Sequence, residues 1–123
     1  MTKTSSLLLC VILSLIQCNQ TAFAEKLTQP AYDQFIAEQT RIVNETKAIL
    51  DQPNQEGDAQ KQRWAFCQRL TAYEEIHKVS EENHELNMAP IMAMVAKKFL
   101  DRQVQSMHNS GMTAAIFCKN RGD

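Results

Sequence analysis

The sequence predicts an all-α fold: a small antiparallel bundle of three longer helices plus a short C-terminal one, stapled by one disulfide. Three observations carry this prediction. Apolar residues recur at i, i+3, i+4, i+7 spacing along most of the chain, and alternating strand patterns are absent. The connections between the periodic stretches are short, which makes consecutive helices antiparallel neighbours. Two cysteines remain once an N-terminal leader is set aside, and two cysteines allow a single intramolecular bridge.

The leader comes first in the chain. Met1-Thr2-Lys3-Thr4 is a short positive start, and Leu7 to Ile16 is an apolar run broken only by Ser14. Ala22-Phe23-Ala24 then sets small residues at the two positions a signal peptidase reads, so cleavage is expected after Ala24. The apolar run is shorter than the roughly 20 residues a spanning helix needs. An uncleaved anchor is the alternative, as is lipid attachment at Cys18, where Gln17 occupies the position that favours a small residue. The expected organisation is a signal peptide over residues 1–24 and one helical domain over residues 25–123, exported to the periplasm or secreted. Cys10 and Cys18 leave with the leader.

The first helix is expected from Lys26 to Leu50. Tyr32, Phe35, Ile36, Ile42, Val43, Ile49 and Leu50 share one face, with Gln39 and Thr46 filling gaps in the stripe. Thr28 can cap its start, and Pro30 is tolerated in a first turn. The stretch from Asp51 to Asp58 contains Pro53 and Gly57 and ends the helix, with Asp58 available as the next N-cap.

The second helix is expected from about Ala59 to Val79 or beyond, with Phe66, Cys67, Leu70, Tyr73 and His77 as its inner stripe. Trp64 stands aside from that stripe and reads as a cover for the rim of the core; with Arg63 beside it, an anchor for a partner is the alternative. Residues 80–87 are polar and acid-rich, and either continue this helix or form the loop after it. Asn87 reads as the cap of a third helix from Met88 to Met107, with Ile91, Met92, Val95, Phe99 and Leu100 inward. Asn109-Ser110-Gly111 punctuates, and Met112 to Cys118 makes the short fourth helix. The terminal Arg121-Gly122-Asp123 is a cell-adhesion tripeptide too short to carry weight.

Cys67 and Cys118 are thereby expected to pair, because exported thiols are normally oxidised. Closing a loop of about 50 residues stabilises the fold by roughly 4 kcal/mol in the chain-entropy account. A free or metal-binding thiol is the alternative, although neither cysteine lies in a Cys-x-x-Cys or Cys/His cluster.

Charge narrows the partners. Losing Lys3 leaves twelve basic residues against fourteen acidic ones, a net of −2. No basic stripe with interleaved aromatics is present, so nucleic acid is not an expected partner. Nothing after residue 24 resembles a membrane span.

Two constellations could carry metal chemistry. Glu74, His77, Glu81 and His84 follow i, i+3, i+7, i+10 and would share a face of a continuous helix. Both Glu-x-x-His pairs lie on one segment without an identifiable facing carboxylate, so an acidic solvated face is the preferred reading. His84, Met88, Met92, Met94, Met107, His108 and Met112 could suit copper(I), yet Met88 and Met92 sit where the third helix should bury its apolar face. No metal site and no cofactor are therefore expected. No catalytic residue is nominated either: both cysteines are spent on the bridge, no serine sits in a glycine-flanked elbow, and Glu74-Glu75 and Glu81-Glu82 diverge by about 100° on a helix.

Around Phe66-Cys67-Gln68-Arg69-Leu70-Thr71-Ala72-Tyr73, and again from Val95-Ala96-Lys97-Lys98-Phe99-Leu100 through Ile116-Phe117-Cys118, the chain resembles small periplasmic immunity proteins. That family protects bacteria from peptidoglycan amidases delivered by type VI secretion. The resemblance spans roughly Arg63 to Cys118 and rests on a Phe-Cys step in a central helix and a closing cysteine near the end. It implies an exported all-helical protein that binds another protein. The expected function is that of a small helical interaction protein of the cell envelope (immunity protein, inhibitor or chaperone-like), not an enzyme. Its expected contact surface is the acidic segment from Glu74 to Glu85, with Glu81, Glu82 and Glu85 touching the partner. A periplasmic copper- or zinc-binding protein is the alternative.

Overall fold

The structure, a computed structural model, describes residues 26–52 and 58–119. The leader with its cleavage site after Ala24, and the Arg121-Gly122-Asp123 tripeptide, lie outside the described residues. Four helices follow in order: α1 (Gln29–Leu50), α2 (Ala59–Glu82), α3 (Ala89–Asn109) and α4 (Ala114–Cys118). Among the described residues there is no strand, and no helix is long and apolar enough to cross a membrane. The protein is an all-α bundle with the expected disulfide, Cys67–Cys118, whose Cα atoms stand 5.7 Å apart.

α2 is the central element. α1 and α3 make their closest backbone approaches to it, and α4 leans on it from the C-terminal end of the chain. This explains why α2 buries more than one stripe: Ala65, Cys67, Leu70, Ala72, Ile76 and Ser80 are all buried. Phe66, Tyr73 and His77, expected inward, are half-buried at the margins of that wide arc. Trp64 remains 51% exposed, outside it.

Against α1, the seam runs antiparallel. Tyr32 is buried and its hydroxyl shares a 2.7 Å hydrogen bond with the buried hydroxyl of Ser80, near the far end of α2. Thr46, a gap in the apolar stripe, is buried too; its hydroxyl donates to the carbonyls of Ile42 and Val43, which satisfies it within α1. Arg69 joins all three long helices. Its guanidinium donates to the Val43 carbonyl at 3.4 Å and lies over the rings of Tyr73 and Phe99, 5.8 and 5.3 Å from their centroids. Those rings stack with centroids 3.8 Å apart and form the contact between α2 and α3.

α3 corrects one expectation. Its buried residues are Ala89, Ala93 and Ala96, whereas Ile91 and Val95 are 49% and 45% exposed. Met92, Phe99 and Leu100 are half-buried. The helix is turned by about one residue step, roughly 100°, from the orientation its bulkiest side chains suggest. The reason is steric. Alanines at 89, 93 and 96 form a ridge of small side chains, and presenting that ridge lets α3 come close to α2 while Phe99 lies flat on Tyr73.

The helix ends follow local chemistry. Thr28 caps α1, its hydroxyl accepting from the Ala31 N–H, and Pro30 sits in the first turn. Asp58 occupies the N-cap of α2 without a side-chain cap bond. α3 closes in a Schellman arrangement: the Gly111 N–H donates to the His108 carbonyl and the Met112 N–H to the Met107 carbonyl. Gly111 takes φ +71°, a conformation that favours glycine. α4 begins at Ala114, two residues later than expected, because Thr113 is the residue that caps it, accepting from the Ile116 N–H.

Candidate functional site

α2 continues through Glu82 and stops, so the acid-rich segment is divided between a helix end and a turn. Asn83 leaves helical geometry at φ −123°, ψ 36°, and residues 83–88 form the connection to α3. This separates the four metal candidates. Glu74 and Glu81 are exposed on α2 and His77 is half-buried there, while His84 stands in the turn with its side chain 74% exposed. The helical face that would have aligned them ends before His84. Among the described residues, no three or more histidine, cysteine, aspartate or glutamate side chains come together as a metal would require.

The turn is held from three directions. Asn83 is buried; its Oδ1 accepts from the Leu27 N–H at 2.8 Å and its Nδ2 donates to the Val79 carbonyl at 2.8 Å. Gln29 brackets the Asn87 backbone: its Oε1 accepts from the Asn87 N–H at 2.8 Å, and its Nε2 donates toward the Asn87 carbonyl at 3.4 Å. Lys26 Nζ reaches Glu85 Oε1 at 2.6 Å. The hydrogen bond from Lys26 is the main reason the Glu85 carboxyl is held below its ordinary pKa. The start of α1 thus clamps the turn between the other two helices.

Met88, rather than Asn87, is the N-cap of α3. It is the single non-glycine residue at positive φ (+67°) among the described residues, and its side chain makes no cap bond. Asn87 stands one position before the cap, with its backbone N–H and carbonyl bracketed by Gln29. A methionine in left-handed geometry is a strained choice, persisting where the surroundings over-determine the backbone. The result is a rigid corner that directs the half-exposed Met88 outward.

Beside that corner lies the outward face of α3. Met88, Ile91, Met94 and Val95 are 45–51% exposed and fall within two turns of one another. Exposed Lys98 and Arg102 continue the same face toward the C-terminus, and Glu81 and Glu82 stand exposed at the end of α2 that leads into the corner. Of the three carboxylates nominated from sequence, Glu85 is engaged with Lys26, whereas Glu81 and Glu82 make no ion pair among the described residues. The apolar part of this surface escaped the sequence reading. The signal that could have found it was the alanine spacing at 89, 93 and 96, which offers α3 a second and better-fitting inner face.

A separate concave feature lies between α2 and α4. It is a cleft of about 350 Å³ lined by Cys67, Leu70, Thr71 and Glu74 on one side and Ala114, Ala115, Cys118 and Lys119 on the other. Phe117 meets Phe66 edge-on at 5.4 Å, and Arg63 Nε donates to the Phe117 carbonyl at 2.7 Å. No protein-family model, curated protein sequence or solved structure matches the chain.

Proposed function

We propose that this chain is an exported interaction protein, an immunity protein, inhibitor or chaperone-like factor, that binds another protein of the cell envelope. One observation carries the reading: the apolar face of α3, formed by Met88, Ile91, Met94 and Val95, stands in solvent beside a rigid, acid-flanked corner. A contiguous apolar patch rimmed by polar groups is the usual make-up of a protein-binding surface. The clamped turn supports it, because a surface ordered before contact loses little conformational entropy on binding. Glu81 and Glu82, without an ion pair among the described residues, supply a charged rim that steers a partner carrying basic groups. The proposed contact is therefore Glu81, Glu82 and Glu85 together with the α3 face, which extends the acidic segment by an apolar centre.

Quantitative affinity capture from cell envelopes tests this with three baits: the native protein, Glu81→Lys/Glu82→Lys, and Ile91→Asp/Val95→Asp. A genuine partner is retained by the native bait and depleted at least about tenfold by the Ile91/Val95 variant. The charge-reversed bait should slow association, with a weakened salt dependence. Equal recovery of the same proteins on all three baits would remove this surface from consideration.

A further inference from the structure

We propose that Cys67–Cys118 is an exchangeable latch: a dithiol entering the α2–α4 cleft attacks Cys118, and opening the bond releases residues 114–119 while the three long helices stay folded. Four observations lead there. The cleft brings open space to both cysteines, and its volume of about 350 Å³ admits the reactive end of another molecule. The two halves of the bridge are unequal: Cys67 is buried and Cys118, near the end of the described chain, only half-buried, so Cys118 is the more accessible residue of the pair.

α4 is also weakly attached apart from the disulfide. It is five residues long, none of them fully buried, and Ile116 is 63% exposed. Its other ties to α2 among the described residues include the Phe66–Phe117 edge contact and the Arg63 hydrogen bond and ring contact at Phe117. Finally, the contacts that hold the body together do not pass through α4. The Tyr32–Ser80 bond, the Tyr73–Phe99–Arg69 stack and the Asn83 and Gln29 clamps all lie within residues 26–109.

The chemistry is ordinary exchange. One thiolate of the dithiol attacks Cys118 Sγ; the Cys67–Cys118 bond breaks, and Cys67 departs as a thiolate that takes up a proton. The donor's second thiolate then attacks the mixed disulfide, releasing Cys118 as a thiolate that is protonated in turn. The donor gives two electrons and ends as an internal disulfide; this chain ends as two thiols. Departure of α4 uncovers the side of α2 that carries Phe66, Cys67 and Leu70. Redox state thereby governs a second apolar surface, separate from the outward face of α3.

Hydrogen exchange read by mass spectrometry tests the latch on the mature protein without denaturant. The three samples are the oxidised form, the form treated with dithiothreitol, and Cys67→Ser/Cys118→Ser. Dithiothreitol should reduce the folded protein, and amides at residues 114–119 should then exchange at least about tenfold faster. Amides in α1, α2 and α3 should keep their protection, and the double-serine variant should match the reduced form. An oxidised Phe117→Ala variant should keep the protection of residues 114–119, because the disulfide is the tether. Any of four results overturns the latch: reduction only after denaturation, unchanged exchange at 114–119 after reduction, loss of protection throughout the chain, or release of α4 in oxidised Phe117→Ala.

Discussion

The hydroxyl pair at the α1–α2 seam offers the sharpest test of the packing described above. Tyr32 and Ser80 are 1% and 0% exposed, and among the described residues their shared 2.7 Å bond is the one hydrogen bond either side chain makes. Tyr32→Phe keeps the ring in place but leaves the Ser80 hydroxyl buried without a partner. Ser80→Ala strands the tyrosine hydroxyl in the same way. An orphaned buried hydroxyl costs about 1–3 kcal/mol, so each single substitution should destabilise by that amount. The double variant removes both polar groups together and leaves no orphan. Its loss should therefore fall short of the sum of the singles by more than about 1 kcal/mol. Urea unfolding of the four proteins, followed by circular dichroism, measures the cycle, and a common m-value checks that the transition stays comparable. Additivity within about 0.5 kcal/mol would refute the reasoning, since it would mean the hydroxyls are not coupled.

Other expectations concern α3 and the corner. Ala93→Leu and Ala96→Leu should each cost about 1–3 kcal/mol by forcing α3 off α2, while Ile91→Ala and Val95→Ala should stay within about 0.5 kcal/mol in thermal or urea unfolding. Met88→Val should destabilise by about 1 kcal/mol or more, because a β-branched side chain fits left-handed geometry poorly; Met88→Gly should be neutral or stabilising in the same assay. Glu85 should titrate below an ordinary glutamate in carbonyl-detected NMR, and Lys26→Met should return it toward that ordinary value. With the folded pKa depressed, the stabilising contribution of this pair is present above the ordinary glutamate range. It is lost as pH falls through the folded value, so the Lys26 clamp should loosen on acidification and hold at neutral pH.

The helices and their ends were legible because they are local. Thr28 caps α1 and Asn109-Ser110-Gly111 ends α3 as expected, and the periodic apolar residues mark the start of α2 and the end of α1, although α1 begins three residues later than expected and Thr113, rather than a residue before Met112, caps α4. The disulfide was legible as well, since the one pair of cysteines downstream of the expected leader has one way to join. The acidic half of the candidate surface could be named for the same reason: consecutive glutamates at a helix end have nowhere to be buried.

Sequence alone therefore determined the all-helical class, the order of the helices and the Cys67–Cys118 bond. The tertiary structure decided which face of α3 turns inward, where α2 stops, and that Met88 rather than Asn87 caps the helix after it. Helical periodicity reports every apolar stripe a helix carries but not the distance at which its neighbour will sit. α3 carries two, and the alanine ridge prevails because it lets the backbones approach and the Tyr73 and Phe99 rings stack. Ile91 and Val95 are left facing water, and with them the surface on which the proposed function rests.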